Sequence, residues 1–159
     1  MLYCVMARFT KLLRLALVAT VLVAIGTATP VFASSFKTSW KEALKNPPPA
    51  NSILGAWEGQ WKSKAHGVSG PLRCVIKDLG NGHYEAIFRA QFHWFHFTYS
   101  TKLAAEHTVS GLRLMGEADL GWMGGLYKYT GEASSSKYTS TYRSPVENGV
   151  LELERPKSL

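Results

Sequence analysis

Five histidines and two cysteines could in principle hold a metal or arm a nucleophile. Their spacing does not support either. His93 and His96 stand three apart in "FHWFHF", which puts them on opposite faces of one continuous strand. His66, His83 and His107 lie beside turn residues and share no zinc-ligand spacing. Cys74 sits on the apolar parity of "PLRCVIKDL", where a thiol behaves as a small hydrophobe. Glu117 and Asp119 share a parity, as paired carboxylates for acid–base work would, but the position equally suits a solvated strand end. "HGVSGP" contains serine and glycine without the Gly-x-Ser-x-Gly elbow of a nucleophile. With Arg73 it suits either a small anion nest or a plain connection. These residues name no catalytic group, no metal ligand and no cofactor.

The aromatic residues carry more. "GAWEGQW" puts Trp57, Gly59 and Trp61 on one parity, and Glu58, Gln60 and Lys62 on the other. "HYEAIFRAQF" does the same with Tyr84, Ala86, Phe88, Ala90 and Phe92, leaving Ile87 as an apolar exception among polar neighbours. Further along, Phe95, Phe97 and Tyr99 share a face, as do Tyr127 and Tyr129, and Tyr138 and Tyr142. Six of the seven tyrosines fall in this inward set. Buried phenols need hydrogen-bond partners, and an unpaired one costs about 1–3 kcal/mol. The set therefore points either to a lumen that takes a ligand with polar atoms or to tyrosines at barrel mouths with wet hydroxyls. Trp61, Tyr84, Phe88, Phe97, Tyr99, Tyr127, Tyr129 and Tyr142 are the pocket candidates.

These side chains need strands to position them. The period after residue 53 is two throughout, with glycines at the breaks and no helical period between. Asn81-Gly82 predicts a tight hairpin, because both turn residues of that type take positive φ. The switch of aromatic parity after Phe92 requires a turn or bulge near His93 and Trp94. About eight strands in simple succession predict an all-β, antiparallel, up-and-down meander that closes into a small barrel. Upstream, "SFKTSWKEALK" predicts a short helix with Ser39 as N-cap and Glu42 completing a capping box. "NPPPANS" stops it.

The N-terminus reads as an export signal. Arg8, Lys11 and Arg14 precede an apolar run, and "TATPVFA" offers cleavage after Ala33. The alternative is an anchor retained over residues 15–33. The expected organisation is residues 1–33 as leader, 34–52 as helix and Pro-rich arm, and 53–159 as barrel. The expected location is secreted or periplasmic, with membrane contact only through an uncleaved leader. The net charge of +7 owes three of its units to that leader, and the remaining Lys and Arg are scattered. That pattern argues against a nucleic-acid partner, which needs a clustered basic face. Cys74 alone remains after the leader, so no intramolecular disulfide is expected.

Gly55-Ala56-Trp57, entering the first strand after a short helical arm, resembles the Gly-x-Trp signature of lipocalins and related calycin barrels. The resemblance implies that Trp57 plugs the closed end against a basic residue from a late strand, here Arg143 or Arg155. It implies binding of a small, largely apolar molecule in the barrel mouth. The chain departs from that family in its shortness, its lack of the long helix after the last strand and its lack of the usual disulfide. A non-enzymatic carrier is the reading these features favour; a cell-envelope structural or protein-interaction domain with a solid core is the alternative.

Overall fold

A computed structural model describes residues 31–109 and 111–157. Most of the expected leader lies outside the described residues. Among the described residues, no helix is long and apolar enough to cross a membrane. Phe32–Leu159 forms one compact unit with its own core.

Eight strands follow one another: β1 (Gly55–Ser63), β2 (Ser69–Gly80), β3 (His83–Phe92), β4 (Phe95–Thr108), β5 (Gly111–Asp119), β6 (Leu126–Ala133), β7 (Lys137–Arg143) and β8 (Asn148–Glu154). Each pairs antiparallel with the next, and β8 pairs with β1, so the sheet is a closed barrel without free edges. The meander expected from the two-residue period is thus present in full. Asn81 and Gly82 both have positive φ (53° and 74°), as the β2–β3 hairpin requires. The parity switch is a two-residue turn at His93 and Trp94, with Phe92 paired to Phe95. His93 takes the positive φ there, 52°.

Gly59 answers to the close approach of β8. A Cβ on this residue would overlap the backbone carbonyl of Glu152. Only glycine lets β1 bend tightly there while Trp57 and Trp61 stay on the inner side.

The helix α1 (Val31–Lys45) begins earlier than the sequence predicts. Ser39 is therefore mid-helix and buried, and it accepts a hydrogen bond from Lys77 Nζ at 3.0 Å instead of capping. The physical reason is the stripe Phe36, Trp40 and Ala43, which recurs at helical spacing and packs on the barrel's outer wall. There it covers Ala56, Val75 and Ile87, one each from β1, β2 and β3. Those three lie side by side in the sheet register, which explains why Ile87 breaks the polar pattern of its strand. Arg73 lies 5.0 Å from the Trp40 ring centre and closes the edge of this contact.

The inner core has two ends. Trp57, Tyr138, Ile76, Leu103, Leu114 and Leu153 fill the end nearest both chain entrances. Arg155, just past β8, seals it. Its guanidinium lies 3.8 Å from the Trp57 ring centre and donates to the carbonyls of Leu54 (2.6 Å), Ala56 (3.2 Å), Ser135 (2.9 Å) and Ser52. The indole of Trp57 donates in turn to the Ile53 carbonyl at 2.8 Å. Arg143 does not take this part. It is exposed at the far end of β7, in register with Asn148 and Lys128. β7 runs away from the plug, so only a residue after β8 returns to it.

Candidate functional site

The other end of the barrel is open and hollow. A cavity of about 420 Å³ lies beneath the loops that join β1 to β2, β3 to β4, β5 to β6 and β7 to β8. That volume falls within the range of small-molecule sites, roughly 300–1,000 Å³. Its walls are Trp61 from β1, Leu72 from β2, Ala90 and Phe92 from β3, Phe97 and Tyr99 from β4, Tyr127 and Tyr129 from β6, Tyr142 from β7 and Leu151 from β8. The inward parity of each strand delivers these side chains to one space.

The rings form a continuous stack along the wall. Phe95, Phe97 and Tyr99 follow one another at 6.1 and 6.0 Å between centres. Tyr99 meets Tyr129 at 6.3 Å, Tyr129 meets Tyr127 at 6.4 Å, and Tyr127 meets Tyr142 at 6.0 Å. β5 lies between β4 and β6 but contributes only Gly116 and Ala118 at this level, so rings from its two neighbours reach across it. Phe88 is wholly buried and stacks on Tyr99 at 5.1 Å and on Tyr129 at 6.2 Å. It belongs to the layer beneath the cavity and does not line it. Trp61 packs on Phe92 at 6.0 Å and donates its indole N–H to the Gln91 carbonyl at 3.0 Å.

Of the eight pocket candidates, Trp61, Phe97, Tyr99, Tyr127, Tyr129 and Tyr142 come together around this space. Tyr84 does not. It begins β3 beside the Asn81-Gly82 turn, at the plugged end. The even parity of β3 is inward along its whole length, but parity says nothing about depth.

Two of the phenols bond to main-chain carbonyls. Tyr127 donates to the Met123 carbonyl at 3.0 Å and Tyr142 to that of Lys62 at 3.4 Å. The Tyr99 and Tyr129 hydroxyls lie close enough to influence one another, as do those of Tyr138 and Ser140. Among the described residues no buried side-chain polar atom lacks a partner. Tyr127 and Tyr142 therefore require no polar ligand, and the case for a site rests on the hollow itself. Burial pushes the Tyr129 hydroxyl up to about 12, with the nearby Tyr127 adding to the effect and the Tyr99 hydroxyl offsetting part of it. Burial likewise raises Tyr99 and Tyr142, and Glu147 adds to the rise at Tyr142. Tyr99, Tyr129 and Tyr142 therefore stay uncharged at any ordinary pH.

Charge enters only at the lip. The Glu147 carboxylate accepts from Ser63 Oγ at 2.8 Å and from the Asn148 amide at 2.9 Å, and lies 3.5 Å from His66 Nε2. This cluster fixes the β7–β8 loop against the β1–β2 loop. It is the part of the site that sequence reasoning missed, since Glu147 follows "SP" in a segment with no periodicity. The β5–β6 loop was missed too. Leu120, Trp122 and Met123 border the cavity. Gly121, Gly124 and Gly125 around them all have positive φ. A tryptophan and a methionine set among such glycines was the available signal.

No family profile, no curated protein and no solved structure matches this chain.

The catalytic candidates do not converge. Cys74 is buried in the core, where burial raises its thiol well above the usual range. Glu117 is exposed on the outer wall, 3.3 Å from Lys128 Nζ, and Asp119 accepts from the Gly121 amide at 2.8 Å. His66 stands at the lip, while His93 and His96 are exposed around the β3–β4 turn. Among the described residues, no three histidine, cysteine or acidic side chains gather as a metal site would need.

Proposed function

We propose that this chain is a lipocalin-like carrier that holds one small apolar or aromatic molecule in the open half of its barrel, and that the leader at residues 1–33 sends it out of the cytoplasm. The observation that carries the reading is the cavity of about 420 Å³ walled by stacked rings and aliphatic side chains. Apolar surface moved from water into such a space stabilises a complex by roughly 25 cal/mol per Å². The flat rings of Phe97, Tyr99, Tyr127 and Tyr129 offer faces against which an aromatic ligand would stack. The plug of Trp57 and Arg155 adds support, because it closes one end and leaves a single way in. A domain with a solid core would have had large side chains where this barrel has Ala90, Gly116 and Ala118.

The direct test is titration with an apolar fluorescent probe such as N-phenylnaphthylamine, read by probe emission and by energy transfer from Trp61. The reading expects a saturable signal with a single site per chain. A signal that rises linearly with probe would refute it.

A further inference from the structure

The rim of the cavity is apolar on its outside as well. Seven of the ten large apolar side chains that stand exposed among the described residues belong to the four loops around the mouth or to the strand ends that carry them. Trp94 and Trp122 are each 88% exposed, and Val146 is 63% exposed. Val68 and Phe95 complete the ring. Exposed tryptophans cost solubility and do nothing for the core, so their concentration at one end marks an interaction surface.

The chemistry of the surface selects its partner. The apolar side chains surround an opening and continue without a break into the cavity, where Trp122, Phe95 and Val68 are also wall residues. A flat protein surface would leave that opening unfilled, whereas acyl chains fill it. Lys64 and Arg143 stand exposed on the same loops, and among the described residues neither is paired with a carboxylate. The acids nearby are engaged: Glu147 by Ser63 and Asn148, and Asp119 by Gly121. Tryptophan favours the headgroup level of a bilayer, with its ring in the apolar boundary and its N–H in water. Basic side chains beside it favour anionic lipid, and this attraction fades within a Debye length.

We propose that the rim docks on the surface of a bilayer containing anionic lipid, with Trp94 and Trp122 at headgroup depth and the cavity mouth facing the acyl layer. The purpose of docking, collecting or delivering an apolar molecule without passage through water, rests on the carrier role proposed above. The docking itself does not.

The experiment uses residues 32–159, the compact unit, so that the apolar segment before it takes no part. Binding is measured by flotation with vesicles of phosphatidylcholine alone and of phosphatidylcholine mixed with phosphatidylglycerol. The unit is compared with the double variant Trp94→Ser and Val146→Ser. Neither side chain lines the cavity or supports the core, so the variant keeps the fold and the probe titration. The inference expects partition onto mixed vesicles, weakened by salt and reduced about tenfold or more in the variant. A variant with Leu79→Ser and Val109→Ser, at the plugged end, should bind as the parent does. Absence of binding to both vesicle types overturns the inference, and so does undiminished binding by the rim variant. Concentration-dependent self-association that the rim variant abolishes, without vesicle binding, also overturns it and assigns the rim to a second copy. Vesicle binding with no saturable probe site would leave docking standing and remove the carrier role.

Discussion

Arg155 shows how much one side chain can hold. Its guanidinium ties four carbonyls from two separate segments, 52–56 and the β6–β7 loop, while lying over Trp57. Hydrogen bonds to a charged donor contribute about 1.5–3 kcal/mol each at most, and a cation–π contact adds about 1 kcal/mol, without full additivity. Arg155→Met should therefore lower unfolding free energy in urea by about 3 kcal/mol. Arg155→Lys should recover only a minor part, since an ammonium cannot spread over the ring and reach the same carbonyls. Arg143→Met, on the exposed end of β7, should change stability by less than about 0.5 kcal/mol. The sequence brought both arginines forward and could not choose between them. The choice depends on strand direction: β7 ends at the mouth and β8 at the plug. A lumenal counterpart is Ala90, whose small side chain leaves room between Leu72 and Phe97.

At the scale of elements, the strands were legible and the helix was less so. Alternation reports burial of one face, and in a closed barrel every strand has one such face, so the period appears eight times. Asn81-Gly82 and the parity switch at Phe92 fixed two of the turns for local steric reasons. Ser39 misled because a capping box is a local signal, while the stripe of Phe36, Trp40 and Ala43 takes its energy from a wall the sequence does not display. Trp40→Ala should cost about 3 kcal/mol and uncover Val75 and Ile87, measurable as faster amide exchange in β2 and β3. Gly59→Ala tests the bend of β1. Its added methyl meets the Glu152 backbone, which has no side-chain freedom to yield, so about 1–3 kcal/mol of destabilisation is expected from thermal unfolding. The loops at the mouth were the least legible parts. Glu147, His66 and Trp122 come together from connections without period, and only the closed sheet brings those connections to one rim.

The whole molecule divides into a sealed half that provides stability and a hollow half whose neutral wall offers binding surface. The buried phenols give this division a pH signature. Tyr129 is raised from 10.0 to about 12, and Tyr99, Tyr138 and Tyr142 are raised as well. Above pH 10 the unfolded chain loses phenolic protons that the folded chain keeps, so stability falls as pH rises. The contribution of Tyr129 is complete below the unfolded value and is lost as pH rises to about 12, and those of Tyr99, Tyr138 and Tyr142 are lost likewise as pH rises through their raised values. Denaturant midpoints should hold to about pH 9 and then drop steeply. Phenolate absorbance should show Tyr99, Tyr129, Tyr138 and Tyr142 ionising only together with unfolding. Separate, early ionisation would mean that these hydroxyls are wet.

The most direct measurement compares probe binding by the native chain and by Ala90→Trp, which would place an indole inside the hollow. The account predicts a saturable single site in the native chain and its loss in the variant, with both proteins folded by circular dichroism. Equal binding by the two would place the probe outside the barrel and contradict the carrier reading.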